Sequence, residues 1–301
     1  MRYLPLAAVA AMIAMPVRAQ DEERSASEDP PVTVSGSATI ASDYRFRGVS
    51  QTDEGFAIQG GVTATHESGI YVGAWGSNLA GWGTFGGANM ELDLVAGLKV
   101  PVGAGTLDTG LTWYMYPGGA DETDFAELYA RLSGSVGPLA LTGGLAYAPK
   151  QEALGNVFFT GAAAAAGLPD DPGDKEDNLY LFADAAYAVG DTPVTLKGHI
   201  GYSDGNPGLG PNATSLAPTG TYFDWSIGAD FTPVEGLTLS LAYVDTCRGQ
   251  TCSCVEKLAR TPDGSEPRQE CRWGIGHRLR VERNRSNGAH IRIKAPRPAL
   301  I

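Results

Sequence analysis

The sequence predicts an all-β fold: a transmembrane, antiparallel, up-and-down β-barrel with about eleven strands present of an expected twelve. Three observations carry that reading. Runs of residues alternate apolar and polar with period two, not 3.6. The links between those runs alternate between tight turns and long loops, as in an outer-membrane barrel. The 301 residues include 40 glycines, and only 19% are charged against 43% hydrophobic, which favours strands and turns over helices. Beyond the N-terminus no run of about 18 apolar residues occurs, so a helical span is not expected.

In chain order, Arg2, an apolar core from Leu4 to Val17 and the small-residue site Val17-Arg18-Ala19 read as an export signal over residues 1–19, cleaved before Gln20. A membrane anchor is the weaker reading, because Pro5 and Pro16 interrupt a core too short to span. Residues 20–31 are acidic, unpatterned and end in two prolines, the signature of a disordered leader.

The barrel is read over 32–246. Its candidate strands are 32–47, 56–66, 70–78, 89–100, 106–116, 124–136, 139–149, 178–189, 194–203, 222–231 and 237–244, most of them near the length that crosses a bilayer as tilted β-structure. In 89–100, Met90, Leu92, Leu94, Ala96, Leu98 and Val100 share one face, opposite Glu91, Asp93, Val95, Gly97 and Lys99. Residues 222–231 and 237–244 alternate in the same way, through Phe223, Trp225, Ile227 and Phe231 and through Leu237, Leu239, Leu241 and Tyr243. Tight turns at 67–69, 101–105, 137–138, 190–193 and 233–236 alternate with longer links at 49–55, 79–88, 117–123, 150–177 and 204–219. With the N-terminus periplasmic, every long link falls outside the cell.

The apolar parity is expected to face lipid. The other parity places Glu91, Asp93, Asp108, Glu127, Arg131, Lys197, His199, Asp224 and Asp230 in the lumen. Such numbers of charges would be prohibitive in a dry core, whereas a wet or ion-paired lumen tolerates them. Asp43, Arg45 and Arg47 are read as the top of the first strand, lining the outer mouth. Tyr44 and Phe46 then fall in an aromatic girdle with Tyr71, Trp75, Trp113, Tyr187, Tyr222 and Trp225. Two roles stand for Asp43 and the arginines: gating or selectivity, and pairing with neighbouring strands to fix register. A soluble sandwich or ligand barrel uses the same alternation, but it would turn the apolar face inward and seldom shows this loop asymmetry.

Charge sets the end of the chain apart. Residues 247–301 hold 12 basic against 5 acidic residues, a net of +7, while the rest holds 10 against 29, a net of −19. All four cysteines, Cys247, Cys252, Cys254 and Cys271, fall in this basic stretch, which reads as a disordered or frame-shifted tail. The body before it is left to packing and hydrogen bonds alone.

Other constellations carry little. Gly81-Trp82-Gly83-Thr84-Phe85-Gly86 matches a dinucleotide-binding pattern by letters, but no helix follows it. The cysteine spacings, with His277 and His290, fit no paired zinc template. Residues 272–297 lack the interleaved aromatics of a nucleic-acid surface beyond Trp273. The acidic run 170–177 lacks calcium-loop spacing. No G-x-S-x-G occurs, and His66 and His199 are the histidines of the body. No catalytic residue, metal or cofactor is expected.

The stretch Ser42-Asp43-Tyr44-Arg45-Phe46-Arg47-Gly48-Val49-Ser50-Gln51-Thr52 resembles the TorF-type porin family of proteobacteria. So do His66-Glu67-Ser68-Gly69-Ile70-Tyr71, Gly76-Ser77-Asn78, Glu91-Leu92-Asp93, Tyr114-Met115-Tyr116-Pro117-Gly118, Glu127-Leu128-Tyr129 and Tyr222-Phe223-Asp224-Trp225, in the same order over about residues 32–246. The resemblance implies an outer-membrane barrel of a Gram-negative bacterium, with transport assigned by analogy and no settled substrate or catalytic residues. Members of that family resemble one another in closing on a further strand with an aromatic C-terminal residue. This sequence departs from that pattern after Thr246.

The expected function is passive diffusion of small solutes, with the link 150–177 constricting the mouth. Eight basic against 29 acidic residues in the body after the signal predict a preference for cations. The alternative is a non-conducting structural or adhesive barrel whose lumen is filled by ion pairs such as Arg45 or Arg47 with Glu127 or Asp93. An enzyme comes third, resting on His199 alone. Outer-membrane lipid, lipopolysaccharide, small solutes and the barrel-assembly machinery are the expected partners, and nucleic acid is not. Without a terminal strand, the first and eleventh strands are expected to keep open edges, which lipid cannot hydrogen-bond.

Overall fold

The computed structural model describes residues 31–80, 87–119, 123–159, 163, 166–205 and 221–247, and the backbone alone of 8–13, 248, 270–273 and 277–280. The chain divides into two units, 1–249 and 250–301. The first is a barrel. Its strands are β1 (Ala8–Ile13), β2 (Val32–Ala41), the short pair β3 (Arg45–Phe46) and β4 (Val49–Ser50), then β5 (Ala57–His66), β6 (Ile70–Asn78) and β7 (Met90–Val102). They continue with β8 (Gly105–Met115), β9 (Phe125–Val136), β10 (Leu139–Gln151), β11 (Glu176–Ala188), β12 (Val194–Gly205), β13 (Tyr222–Val234) and β14 (Leu237–Arg248). In the second unit, β15 (Glu270–Trp273) and β16 (His277–Arg280) form an antiparallel pair.

From β5 to β14 each strand pairs antiparallel with its sequence neighbours, and β2 pairs with β5. Alternation is what makes this sheet possible, and the burial follows it. On β13, Phe223 and Ile227 are exposed on the outside, the latter by 64%, while Asp224 between them is 1% exposed on the inside. On β7, Leu94 and Leu98 face out and Glu91 is 2% exposed. A water-soluble barrel would invert this arrangement. The apolar belt outside and carboxylates inside belong to a wall solvated by lipid.

Tight turns join β5–β6, β7–β8, β9–β10, β11–β12 and β13–β14 at one rim, and the long links gather at the other. At Gly69 the turn needs glycine: φ is +89°, and an added Cβ would run into the carbonyl of Lys99.

Eleven consecutive antiparallel strands leave β2 and β14 running in the same direction, so they cannot close on each other antiparallel. Here the expectation of open edges meets a different arrangement. The backbone of β1, part of the stretch read as the apolar core of an export signal, lies antiparallel between them. Ala8–Ile13 pair with Ala242–Leu237 on one side, and Ala10–Ile13 with Ala41–Ala38 on the other, which closes the ring at twelve strands. The physical reason is the polarity of the two edges, which only an intervening antiparallel strand satisfies. At the far end, β14 runs on to Arg248, and Cys247, buried and disulfide-bonded, belongs to the wall.

Two expectations about the first strand are corrected. It ends at Ala41, not Arg47, because residues 43–52 turn away from the ladder to bond with one another. Tyr44 and Phe46 are therefore not in a lipid-facing girdle: Tyr44 packs edge-on to Trp75 at 5.5 Å, and Phe46 packs edge-on to Tyr114 at 5.8 Å, inside the barrel. Tyr71 and Tyr222 are also inside, buried on the lumen parity, whereas Trp113 and Tyr187 are exposed on the outer face.

The outer half of the lumen is filled. Tyr114, Tyr116 and Phe125 stack there with Leu79, Ala88 and Ala148, and the short 3-10 turn Glu152–Leu154 of the long β10–β11 link drops Ala153 and Leu154 into the same cluster. Tyr44, Phe46 and Val49 pack against it. Of the wet or ion-paired lumen expected from the sequence, the open space is thus confined to the other half.

Candidate functional site

The site is the lumen, and it is divided by the β3–β4 hairpin. The tip, Arg47-Gly48, has positive φ at both positions, +47° and +85°, as a two-residue hairpin turn of the primed type requires. The stem is tied by its own side chains. Ser50 Oγ and Thr52 Oγ1 donate to Asp43 Oδ1 at 2.5 and 3.2 Å, and Arg45 Nε pairs with Asp43 Oδ2 at 2.6 Å. Tyr44 N donates to Thr52 Oγ1, and Gln51 N to the carbonyl of Tyr44. Asp43 and Arg45 are consumed in holding this shape.

Arg47 is not. Its Nη2 donates to both oxygens of Glu127 on β9, at 2.7 and 2.6 Å, and its guanidinium lies over the ring of Tyr180 on β11 at 4.2 Å. Both side chains of the ion pair are nearly sequestered, at 10% and 5% exposure. Burial alone would lower the pKa of Arg47, but the Glu127 carboxylate keeps it above its ordinary value, so the side chain stays charged. Gly48 completes the wedge. A Cβ there would sit 2.8 Å from Cβ of Asp224 on β13 and against Thr246 Cγ2 of β14. The hairpin therefore reaches from the β2–β5 link to the wall at β9, β11, β13 and β14.

The wall continues the network. The Tyr180 hydroxyl donates to Asp224 at 3.1 Å and meets His199 Nε2 at 2.9 Å. His199 in turn bridges Asp224 at 3.0 Å and Asp184 at 2.6 Å. On the hairpin's other flank, the hydroxyls of Tyr44 and Tyr116 bond Glu91. Burial first, then the charges of Glu91 and Asp93, holds the Tyr44 phenol well above its ordinary value, so it remains a donor. One oxygen each of Glu91 and Asp93 has no hydrogen-bond partner among the described residues.

Towards the tight-turn rim the charges lie along the wall. Lys99, Asp108 and Arg131 are register partners on β7, β8 and β9. Arg131 donates through Nε and Nη2 to Asp108 Oδ2 at 3.0 and 2.7 Å; Tyr71 donates to Asp108 Oδ1 at 2.7 Å, and its hydroxyl also meets that of Tyr129. Lys99 lies over the Tyr71 ring at 5.0 Å, with no carboxylate of the described residues within 4 Å. Lys197 pairs with Asp230 at 3.0 Å, and Ser240 also donates to Asp230. Between these walls and the hairpin lies a cavity of about 650 Å³.

Of the residues expected at the mouth or in the lumen, the structure joins Arg47 to Glu127, Asp43 to Arg45, His199 to Asp224 and Lys197 to Asp230, and it joins Arg131 to Asp108. Arg45 meets neither Glu127 nor Asp93. Tyr180, Asp184, Lys99 and Tyr129 were missed as site residues, although parity alone places all four inside. The glycine-rich residues 81–86, Cys252 and Cys254 lie outside the described residues.

Residues 25–261 match the family model described as a bacterial protein of unknown function, Gcw_chp. A search of curated proteins returns no match. Among solved structures, a NanC porin aligns at 7% identity over 81% of this chain and 100% of that one, with a TM-score of 0.41. A porin refined at 1.8 Å aligns at 12% identity over 81% and 95%, with a TM-score of 0.37. OccK5 (OpdH) of Pseudomonas aeruginosa aligns at 15% identity over 71% and 68%, with a TM-score of 0.31.

Proposed function

We propose, for a chain that belongs to the Gcw_chp family of bacterial proteins of unknown function, a porin-like channel of the outer membrane that passes small solutes passively and performs no chemistry on them. The observation that carries this reading is an apolar belt outside a 650 Å³ cavity lined by charged and aromatic side chains, under an inward-folded hairpin. The resemblance of the 42–52 stretch to TorF-type porins points the same way. Residues 1–19 deliver the chain as an export signal, assembly machinery inserts it, and cleavage before Gln20 would withdraw β1 from the ring. Acidic residues on the long-loop side, among them Asp170, Asp171, Asp174 and Asp177, enrich cations at the mouth.

Planar-bilayer recording of the purified barrel tests the channel. Steady openings with a cation-favouring reversal potential are expected. An anion-favouring potential would remove the cation preference alone.

A second reading has its own observation. The Arg47–Glu127 pair crosses the lumen and is almost fully buried, as in a plugged, non-conducting barrel with a structural role. A folded barrel that stays silent in the bilayer, with Arg47 intact and with Arg47→Ala alike, would favour it.

A further inference from the structure

We propose that the cavity beneath the hairpin selects small zwitterions, holding their acidic end at Lys99 and Arg131 and their basic end at Asp184. This rests on the porin-like reading and names its solute class.

The charge of the cavity does not continue that of the chain. The body carries a strong negative excess, yet the cavity is lined by five basic side chains, Arg45, Arg47, Lys99, Arg131 and His199, against three acidic ones, Glu127, Asp184 and Asp224. Most of these are spent on one another. Arg45 is held by Asp43, Arg47 by Glu127, and Asp224, at 2% exposure, by His199 and Tyr180. Three groups keep capacity for a guest. Lys99 has only a ring beneath it. Arg131 is 47% exposed and bonds Asp108 through Nε and Nη2, leaving Nη1. Asp184 is 45% exposed and bonds His199 through Oδ1, leaving Oδ2.

Their places sort by sign. Lys99 and Arg131 stand on β7 and β9 with one carboxylate, Asp108, between them on β8, while Asp184 and Asp224 share His199 on β11 to β13, so one arc of the ring has a surplus of cations and the next a surplus of carboxylates. On the intervening β10, Gly144 is register partner of both Arg131 and Phe182, and Thr142 of Asp184. A Cβ at Gly144 would meet Arg131 Cβ at 2.9 Å and the Phe182 ring at 2.6 Å, so glycine lets the Phe182 ring and the Arg131 stem pack over β10 between the two charges. Tyr71, Tyr129 and Phe182 supply ring faces for a short apolar group, and the volume admits a molecule of amino-acid size with room to spare.

The two zones then act in series. A simple anion is repelled by the acidic loops, and a simple cation meets Lys99 and the exposed edge of Arg131 inside. A molecule with both charges satisfies the cavity while presenting no net charge to the mouth.

The test uses three solutes of one shape: valine, its amide, which is a cation, and isovalerate, an anion. Uptake of each, radiolabelled, is measured in proteoliposomes containing the full chain, alongside planar-bilayer conductance. Valine is expected to enter at least about threefold faster than either analogue. Asp184→Asn should erase the advantage over isovalerate, and Lys99→Gln the advantage over the amide. Lys99 has no ion-pair partner among the described residues, so that variant is expected to fold, which heat-modifiable gel mobility checks. Equal uptake of all three by a conducting barrel overturns the zwitterion inference and leaves the channel standing. No conductance and no uptake overturns both.

Discussion

Arg47 and Arg131 are both lumen arginines bonded to a buried carboxylate at 2.6 to 2.7 Å, yet one pair crosses the lumen and the other lies along its wall. The difference lies in where their backbones start. Arg131 and Asp108 are register partners on adjacent strands, so their bond lies flat on the wall and the arginine is free to turn its other nitrogen to solvent. Arg47 comes from a hairpin that has left the wall, and its partner is 80 residues away on β9. The same chemistry therefore stiffens the inner half and obstructs the outer half.

Removing the crossing bond should have the largest effect. Arg47→Ala leaves Glu127 buried and unpaired, a loss of about 3–5 kcal/mol. The unfolding midpoint in urea, followed by heat-modifiable mobility, should fall accordingly, and single-channel conductance should rise as the hairpin is released. Adding Glu127→Gln should recover part of the stability without restoring the low conductance. If Arg47→Ala conducts like the wild type, the hairpin is not the constriction.

Gly48→Ala attacks the same closure sterically. Its φ of +85° and the 2.8 Å approach to Asp224 both oppose a side chain, for about 1–3 kcal/mol. The hairpin is expected to tilt from β13, raising conductance by less than Arg47→Ala does. A variant with unchanged stability and conductance would show that the tip does not bear on the wall.

The wall was legible in the sequence and the hairpin was not, for a physical reason. Period-two alternation forces Leu94 to one side and Asp93 to the other wherever the chain lies in the ladder, so sheet, loop asymmetry and lumen parity follow from letters alone. The same alternation in Asp43-Tyr44-Arg45-Phe46-Arg47 suggested a continued strand, because a hairpin is also built from extended residues. The turn signal was present as Arg47-Gly48 but weak without Asn or Asp. The β1 seat was illegible for another reason. A run of small apolar residues carries no period, and only the polarity of two distant edges makes a place for it.

Along the wall the effects shrink. Asp108→Asn removes the carboxylate shared by Arg131 and Tyr71, but Arg131 is half in solvent and can turn to water. Stability should fall by about 1 kcal/mol after discounting for that exposure. Conductance should hold while the reversal potential moves towards anions, since the positive arc loses its counter-charge. A collapse in conductance would mean that this pair, too, spans the lumen.

The smallest effect is expected at Lys197, which gives the comparison its sharpest control. Its pair with Asp230 joins β12 to β13 beside the tight-turn rim, and the lysine side chain is 49% exposed. An exposed pair between neighbouring strands contributes about 0.2–1 kcal/mol and weakens further with salt. Ser240 continues to donate to Asp230 when the lysine is gone, so no buried charge is stranded. Lys197→Gln should therefore shift the urea midpoint barely and leave single-channel conductance unchanged, in contrast to Arg47→Ala, although each variant deletes one cation from a lumen ion pair. Equal losses from the two variants would mean that pair count, not the direction in which a pair runs, sets both the stability and the bore of this barrel.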